Sequence, residues 1–284
     1  MEFPIKFSLV IPFGGDPEFL VKTVESVFEQ TYDFWDLTII DDGTNIDLKN
    51  ILGIYLDRIS IIFLPEKVGI VAIFDLAIEK LRGEIGMILG ADDLLESNFL
   101  LEMAKAWKEF PEVTLIHPRV LTINEKSSIE IGFVDRFKQI IAPTNFRNII
   151  SGRTLIYSLL AGNWMYFTSS TFRIDKLKLY RFSPELQIAM DWELALRFSL
   201  DGDAFGYCEE SIFFYRRHKN SFSMRDETAR LRLKEEMQVV KTSGNVAKEK
   251  GQFDVWLFSK LHSYSYLNFT LRKMSSYKNF RISK

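Results

Sequence analysis

Paired carboxylates follow two of the predicted strands. Asp92-Asp93 comes shortly after the apolar run Ile85–Leu89, and Asp41-Asp42 comes directly after Leu37–Ile40. Because ligands of open α/β sheets bind outside the carboxyl ends of the strands, we expect the two pairs to meet at one crevice. Mg²⁺ sites combine one or two carboxylates with substrate phosphates. The pattern indicates a metal–diphosphate site, with a helix cap at the first pair and an Asp-Gly turn at the second as alternatives.

The residues around these pairs alternate between strand and helix patterns. Apolar runs predict strands over Phe7–Pro12, Leu37–Ile40, Ile59–Leu64 and Ile85–Leu89, and apolar spacing predicts helices over Glu18–Gln30, Gly69–Leu81 and Phe99–Trp107. Such alternation predicts an α/β fold with βαβ units, in which helices flank a mainly parallel sheet. Further along, Thr114–Ile123 is predicted as a strand, Arg136–Ser151 as irregular and Thr228–Val240 as a helix, with Gly244 and Gly251 as breaks.

Composition excludes several classes of protein. The net charge of −2 over 284 residues disfavours a nucleic-acid binder, which would usually be basic. The single cysteine, Cys208, excludes an internal disulfide framework and all-cysteine metal sites, and three histidines leave little for a multi-histidine zinc site. The first residues lack the basic segment and long apolar run of a signal peptide, and no stretch approaches a membrane span. We therefore expect a cytoplasmic protein.

Three stretches in the first 110 or so residues resemble the nucleotide-binding half of family 2 glycosyltransferases, which have the GT-A fold. They are SLVIPF, VESVFEQTYDFWDLTIIDDGT and VGIVAIFDLAIEKLRGEIGMILGADDLL, in the family's order and spacing. The resemblance implies nucleotide contacts at Pro12, Phe13, Gly14, Asp41, Asp42, Gly69 and Asp92. It also implies that Asp92 and Asp93 hold Mg²⁺ or Mn²⁺. The family usually has D-x-D-D here, and Gly90 stands at the first of these aspartate positions.

Two segments further along resemble the catalytic part of the same family. Ala189–Phe198 resembles its E-D-W-E-L motif, which makes Asp191 the catalytic base; stabilisation of the helix N-terminus is the alternative. Tyr215–His218 resembles its Y-R-x-H segment, which makes His218 a metal ligand and turns the basic residues toward the phosphates; a solvated surface histidine is the alternative. The stretch Gly162–Arg173, which precedes both segments, corresponds in the family to residues beneath the acceptor site. The resemblance therefore implies acceptor contacts at Asn163, Trp164, Ser169 and Ser170, while Trp164 alone would also suit the core.

These segments predict three regions. Residues 1–110 form a nucleotide-sugar-binding half, 111–224 an acceptor-binding half of the same GT-A domain, and 225–284 a C-terminal helical extension. Val255–Lys284 carries six basic residues and no acidic one. The aromatic and increasingly basic stretch Phe253–Met274 suits peripheral contact with the inner face of a membrane, or packing against the catalytic domain or a second copy of the chain.

The resemblance implies a metal-dependent inverting glycosyltransferase of polysaccharide biosynthesis. The expected partners are a nucleotide-sugar donor, with UDP as the nucleotide, and a glycan or lipid-linked acceptor. A non-catalytic glycan- or nucleotide-binding relative of the same fold is the alternative, because Gly90 and the Phe13-Gly14-Gly15 loop depart from the family pattern.

Overall fold

A computed structural model describes residues 4–143, 149–218 and 228–261. In these ranges the strands are β1 (Phe7–Phe13), β2 (Trp35–Asp41), β3 (Ile59–Phe63), β4 (Ile85–Ile88), β5 (Leu94–Leu95), β6 (Leu115–Ile123), β7 (Ile149–Ile150), β8 (Thr171–Arg173) and β9 (Phe205–Arg216). The α-helices are α1 (Pro17–Phe28), α2 (Leu48–Ile51), α3 (Ile70–Lys80), α4 (Phe99–Glu109), α5 (Phe133–Ile141), α6 (Gly152–Ala161), α7 (Ile174–Leu177), α8 (Met190–Leu200), α9 (Thr228–Glu249) and α10 (Phe253–Lys260). Two 3-10 helices cover Gly53–Arg58 and Phe167–Ser169.

One sheet runs through both predicted halves. Its strand order is β3-β2-β1-β4-β8-β6-β9-β5, and β7 also pairs with β9. The first four strands pair in parallel, as the βαβ pattern predicts. The prediction of a mainly parallel sheet is confirmed, because the long strands β6 and β9 also pair in parallel. The antiparallel pairings are short: β8 pairs with β4 and β6, and β9 pairs with β5 and β7. The sheet is therefore mixed.

The central strands are apolar throughout because both faces of the sheet are covered. Val10 packs into one core with residues of α3, α6 and α8, whereas its neighbours Leu9 and Ile11 pack into a second core with residues of α1 and α4. Successive side chains of a strand point to opposite faces, so a strand buried on both sides needs a continuous apolar run. Polar groups can therefore collect at the carboxyl ends of these strands.

Several boundaries differ from the sequence predictions. Residues 136–151 were expected to be irregular, but α5 covers the first part of that stretch and buries Asp135. Gly244 was expected to break the chain, yet it lies inside α9, where an added Cβ would stand 2.1 Å from the Ser259 hydroxyl oxygen of α10. The glycine is there because the two helices approach closely. Gly251, at φ +74°, does follow the end of α9 as expected.

The C-terminal extension is helical as far as the structure describes it. Val239, Val240, Ala247 and Val255 of α9 and α10 are buried in the same core as α6 and α8. This packing favours the intramolecular alternative for residues 228–261, while the aromatic and basic tail beyond Leu261 lies outside the described residues. None of the helices in the described ranges has the length and apolarity needed to cross a bilayer. The region boundaries at 110 and 224 stay a prediction.

Candidate active site

The carboxyl ends of β1, β2 and β4 open into one cleft of about 1490 Å³. Three aspartates that are far apart in sequence, Asp42, Asp92 and Asp191, all line it. The predicted nucleotide contacts Pro12, Phe13, Gly14 and Gly69 line the same cleft. The strand ends therefore meet in one crevice, as the paired carboxylates indicate.

The two residues of the Asp41-Asp42 pair take different roles. Asp41 is buried, and its carboxylate accepts a hydrogen bond from the Thr44 N–H at 3.0 Å, so the turn alternative is right for this residue. Asp42 faces the cleft, and its Oδ1 accepts the Val68 N–H at 2.7 Å. This bond ties the end of β2 to the loop that precedes α3. We therefore omit Asp41 from the nucleotide contacts proposed below and keep Asp42.

Asp92 and His218 form a contact at the cleft wall. Asp92 Oδ2 lies 2.8 Å from His218 Nε2, and the Asp92 side chain is one-third exposed. The His218 ring also packs against Phe19 of α1, with 5.0 Å between ring centroids. The alternative of a solvated surface histidine is wrong, because only 11% of its side chain is exposed.

Asp93 lies at the floor of the cleft and is 1% exposed. Its two carboxylate oxygens accept hydrogen bonds from the Arg216 N–H at 2.9 Å and the Thr168 hydroxyl at 3.1 Å. Burial, and secondarily the nearby Asp92 charge, raise the pKa of Asp93 well above its ordinary value. Burial and the neighbouring negative charge both favour the neutral carboxylic acid. A structural role suits this carboxyl better than the predicted role of metal ligand.

Gly90 explains how Asp93 fits there. A Cβ on Gly90 would stand 2.3 Å from Asp93 Oδ2, so the carboxyl group uses space that a side chain at position 90 would need. Gly90, which stands at the position of the family's first aspartate, thus leaves room for the inward-facing carboxyl group of Asp93. The helix-cap alternative for the pair is wrong, since α4 begins at Phe99 and its N-cap is Asn98.

Arg216 at the end of β9 is buried rather than directed at a phosphate. Its Nε donates to the Asp92 carbonyl at 2.7 Å, and its Nη1 donates to the Asn124 carbonyl at 2.9 Å and to the Ser127 hydroxyl at 3.0 Å. Burial lowers the pKa of the guanidinium, and the two neighbouring aspartates oppose that shift. The prediction that the basic residues of this segment face the phosphates is therefore wrong for Arg216. Arg217 does line the cleft, where it pairs with Asp135.

Asp191 sits in the first turn of α8. Its Oδ1 accepts the Trp192 N–H at 2.7 Å, and both oxygens lie 3.4 Å from Asn163 Nδ2. Burial raises the pKa of Asp191, and the Lys138 charge is the largest opposing influence. A carboxylate with a raised pKa at a cleft wall has the chemistry of a general base. The contact with Trp192 also satisfies a backbone donor of the helix N-terminus, so the two interpretations of Asp191 are compatible.

A sequence model for glycosyl transferase family 2 matches residues 8–186, which is more than half of the chain. The chain belongs to glycosyl transferase family 2. Glycosyltransferase GlyG of Streptococcus pneumoniae serotype 4 is 21% identical over 245 residues, which cover 78% of this chain and 73% of GlyG.

Solved structures of S. aureus TarS support the GT-A fold of this family 2 protein. The crystal structure of TarS 1-349 in complex with UDP-GlcNAc superimposes with a TM-score of 0.64 at 14% identity, over 85% of this chain and 66% of the TarS chain. The complex with UDP gives a TM-score of 0.61 at the same identity, over 85% of this chain and 65% of that one. This chain therefore spans just under two thirds of the length of these TarS chains.

The predicted acceptor residues of this family 2 chain divide into two groups. Asn163 lines the cleft beside Asp191. Trp164 is buried and stacks on His117, with ring centroids 5.6 Å apart, so the core alternative is right for it. Ser169 and Ser170 are fully buried, and Ser169 donates its hydroxyl to the Tyr166 carbonyl at 2.7 Å. We therefore omit Trp164, Ser169 and Ser170 from the acceptor contacts proposed below.

Other residues line the cleft near Asp191 without having been predicted from the sequence. Two of them are Lys138 of α5 and Tyr166. The Lys138 ammonium group lies over the Tyr166 ring, with Nζ 3.9 Å from the ring centroid. Arg232 and Glu236 of α9 are two more. The i, i+4 spacing of the last two on an amphipathic helix is a signal that could have found them, but they lie beyond the part of the chain that resembles the family.

The metal prediction can be tested against the donor set. No group of three His, Cys, Asp or Glu side chains in the described ranges is placed to hold a metal by itself. Asp92 and His218 offer one oxygen and one nitrogen 2.8 Å apart, close to the roughly 3 Å between neighbouring ligands of an octahedral ion with bonds of about 2.1 Å. Two protein ligands suit a cation that takes its remaining ligands from substrate phosphates and water. The pair therefore fits a cation shared with a diphosphate.

Proposed function

We propose that this family 2 chain transfers a sugar from a nucleoside diphosphate donor to a hydroxyl group of an acceptor, with inversion at the anomeric carbon. The observation that carries the proposal is the convergence of Asp42, Asp92 and Asp191 on one cleft. These residues come from the ends of β2 and β4 and from the start of α8. Their placement allows one carboxylate at the nucleoside end, one at the diphosphate and one at the acceptor.

Each residue has a distinct task in the proposed reaction. Asp191 takes the proton of the acceptor hydroxyl as that oxygen attacks the anomeric carbon from the face opposite the diphosphate. The new carbon–oxygen bond forms as the bond to the diphosphate breaks, and the diphosphate leaves with the electron pair. Asn163 lies within reach of both Asp191 oxygens and orients the carboxylate. Asp42, Pro12 and Gly14 surround the base and ribose. Phe13 stays out of this set, because its side chain is fully buried in the core.

A divalent cation, Mg²⁺ or Mn²⁺, would be held by Asp92 and His218. When bound, it would supply positive charge to the leaving diphosphate. Arg217 also lines the cleft, with its guanidinium paired to Asp135. Asp93 stays out of this set, because it is buried beneath Asp92 and bonded to Arg216 and Thr168.

The donor nucleotide we propose is UDP. This choice is supported by the fold shared with TarS, whose structures in complex with UDP-GlcNAc and with UDP are known. For the acceptor we propose a glycan or lipid-linked glycan, which the name of the relative GlyG, a glycosyltransferase, is consistent with. Polysaccharide biosynthesis is the process in which such a reaction would take part.

The test is a comparison of Asp191→Asn with the wild type. Purified protein is incubated with a panel of UDP-sugars and Mn²⁺, with release of UDP as the readout, and UDP binding is followed separately by thermal shift. Asp191→Asn keeps the shape of the side chain but loses the proton acceptor. We expect it to lower turnover by about 10²–10⁴-fold, the usual contribution of a general base, while UDP still raises the melting temperature.

Asp175→Asn is the matched control, because Asp175 is an exposed carboxylate in the first turn of α7. It should leave turnover at the wild-type level. UDP binding by the wild type without turnover for any donor would contradict the proposal and favour the non-catalytic binding relative. Turnover that survives Asp191→Asn would remove Asp191 from the role of base.

A further inference from the structure

Helix α9 forms part of the cleft although it lies beyond the residues that match the family model, which end at 186. Arg232 and Glu236 of this helix line the cleft. Between them stands Glu235, which is 2% exposed and points into the protein. A buried carboxylate needs hydrogen-bond partners, because an unpaired buried charge is costly.

The partners of Glu235 are three consecutive backbone N–H groups. Its carboxylate accepts from Gln187 at 3.0 and 3.1 Å, from Ile188 at 2.7 Å and from Ala189 at 3.0 Å. Ala189 is the N-cap residue of α8, and it has no side chain able to cap the helix. Glu235 therefore anchors the backbone segment 187–189 that leads into α8, near the positive end of the helix dipole.

The anchored segment lies immediately before the proposed base. Asp191 follows Ala189 by two residues, and its own side-chain contacts are one short bond to Trp192 and two long ones, 3.4 Å each, to Asn163. Few side-chain contacts thus fix the Asp191 carboxylate, and its position depends on the backbone that precedes it. The backbone at 187–189 is in turn fixed by Glu235. A general base must stay within hydrogen-bond reach of its proton, so a small displacement of this segment would affect the reaction.

We propose that Glu235 is a positioning residue for Asp191, so that the C-terminal extension is a working part of the active site. The inference rests on the proposed function for the role of Asp191. Glu235 itself touches neither donor nor acceptor; it acts through the three N–H groups. Arg232 and Glu236, one turn before it and one residue after it, bring the same helix to the acceptor side of the cleft.

The test compares Glu235→Gln, Glu235→Asp and the control Glu249→Gln. Glutamine has the size of glutamate, but its NH₂ group cannot accept from a backbone N–H, so at least one of the bonds is lost. Aspartate keeps the charge on a shorter stem and should restore part of the function. Glu249 is an exposed carboxylate at the last turn of α9, and its substitution should change nothing.

We expect Glu235→Gln to lower kcat at least tenfold, with a donor KM within about twofold of the wild type and an unchanged thermal shift with UDP. Glu235→Asp should recover part of that kcat. The acid limb of the pH–rate profile should move to lower pH, because a loosened segment relaxes the burial that raises the pKa of Asp191. Loss of stability alone would lower the apparent kcat in proportion to the folded fraction and would leave the acid limb unchanged. A kcat and an acid limb equal to those of the wild type would overturn the proposal, as would a kcat that falls only in proportion to the folded fraction.

Two measurements decide the inference without turnover. Hydrogen–deuterium exchange should be faster at 187–189 in Glu235→Gln than in Glu249→Gln. The Asp191 carboxyl, followed by NMR titration, should have a lower pKa in Glu235→Gln than in the wild type, with Lys138 and Arg232 as the charged groups around it. If the wild type turns over no donor, the proposed function fails, and these two measurements still decide the positioning. If both are unchanged in Glu235→Gln, the positioning role is refuted even when the wild type is active.

Discussion

Gly43, in the turn after β2, gives the sharpest prediction about the nucleoside end of the cleft. It has φ +63°, and a Cβ added there would stand 2.6 Å from the carbonyl carbon of Glu66, 2.8 Å from its Cα and 2.9 Å from the Lys67 nitrogen. All three atoms belong to the backbone, which cannot swing away as a side chain would. Gly43→Ala therefore introduces both a strained backbone conformation and a collision. Gly83 has φ +84° but nothing within 4 Å, so Gly83→Ala introduces the strain alone.

The magnitudes follow from these two contributions. An L-residue in the left-handed region costs about 1–2 kcal/mol, which both variants share. Overpacking against a fixed neighbour typically costs about 1–3 kcal/mol more, which only Gly43→Ala incurs. In a domain of this size each kcal/mol lowers the melting temperature by about 2–4 °C. Gly43→Ala should therefore melt below Gly83→Ala by roughly 2–12 °C.

The collision should also weaken nucleotide binding. To reach ordinary contact, the Glu66 carbonyl carbon must move from 2.6 Å to at least 3.4 Å. That movement pulls the chain just before Val68, whose N–H donates to Asp42 Oδ1. We expect UDP affinity to fall about tenfold, equivalent to about 1.4 kcal/mol, in Gly43→Ala and to stay unchanged in Gly83→Ala. Thermal melts and calorimetric titration with UDP measure both. Equal melting temperatures in the two variants, or unchanged UDP affinity in Gly43→Ala, would refute the reasoning.

Three further predictions concern the metal, the base and the extension. Asp92→Asn should abolish the Mn²⁺-dependent part of the thermal shift with UDP, whereas Asp93→Asn should keep it; the reverse result would make Asp93 the ligand. The Lys138 charge opposes the rise in the pKa of Asp191, and the base works only when it is ionised. Lys138→Met should therefore move the acid limb of kcat/KM to higher pH. An unchanged acid limb in the pH–rate profile would show that the Lys138 charge does not act on Asp191. Gly244→Ala should lower stability by about 1–3 kcal/mol, and combination with Ser259→Gly should recover part of it in urea melts; additive losses would contradict the close approach.

Local patterns predicted the fold of the first 110 residues well. Each of its strands is an apolar run of one chain segment, and each of its helices has regular apolar spacing, so the information lies within a window of a few residues. Asp92 and Asp191 could be singled out because both belong to short motifs with adjacent partners. The resemblance implies roles for both in one reaction, and the structure places both in one cleft.

What the sequence could not provide was the direction of side chains and the partners that come from distant segments. Asp92 and Asp93 are neighbours of the same type, and only the contacts of the second with Arg216 and Thr168 separate a buried group from an exposed one. Ser169 and Ser170 have the composition of a polar binding loop, yet the sheet places them in the core. Glu235 reaches residues 46 to 48 positions away, and no local rule links them.

The guanidinium of Arg216 has a consequence for evolution and engineering. It binds the carbonyl of Asp92, after β4, and that of Asn124, after β6, so one guanidinium links the turn that carries Asp92 to the turn at Asn124–Ser127. Changes selected on one side of that link would be transmitted to the other. Substitutions in the turn at Asn124–Ser127, whose residues do not line the cleft, should therefore change turnover through the backbone at Asp92.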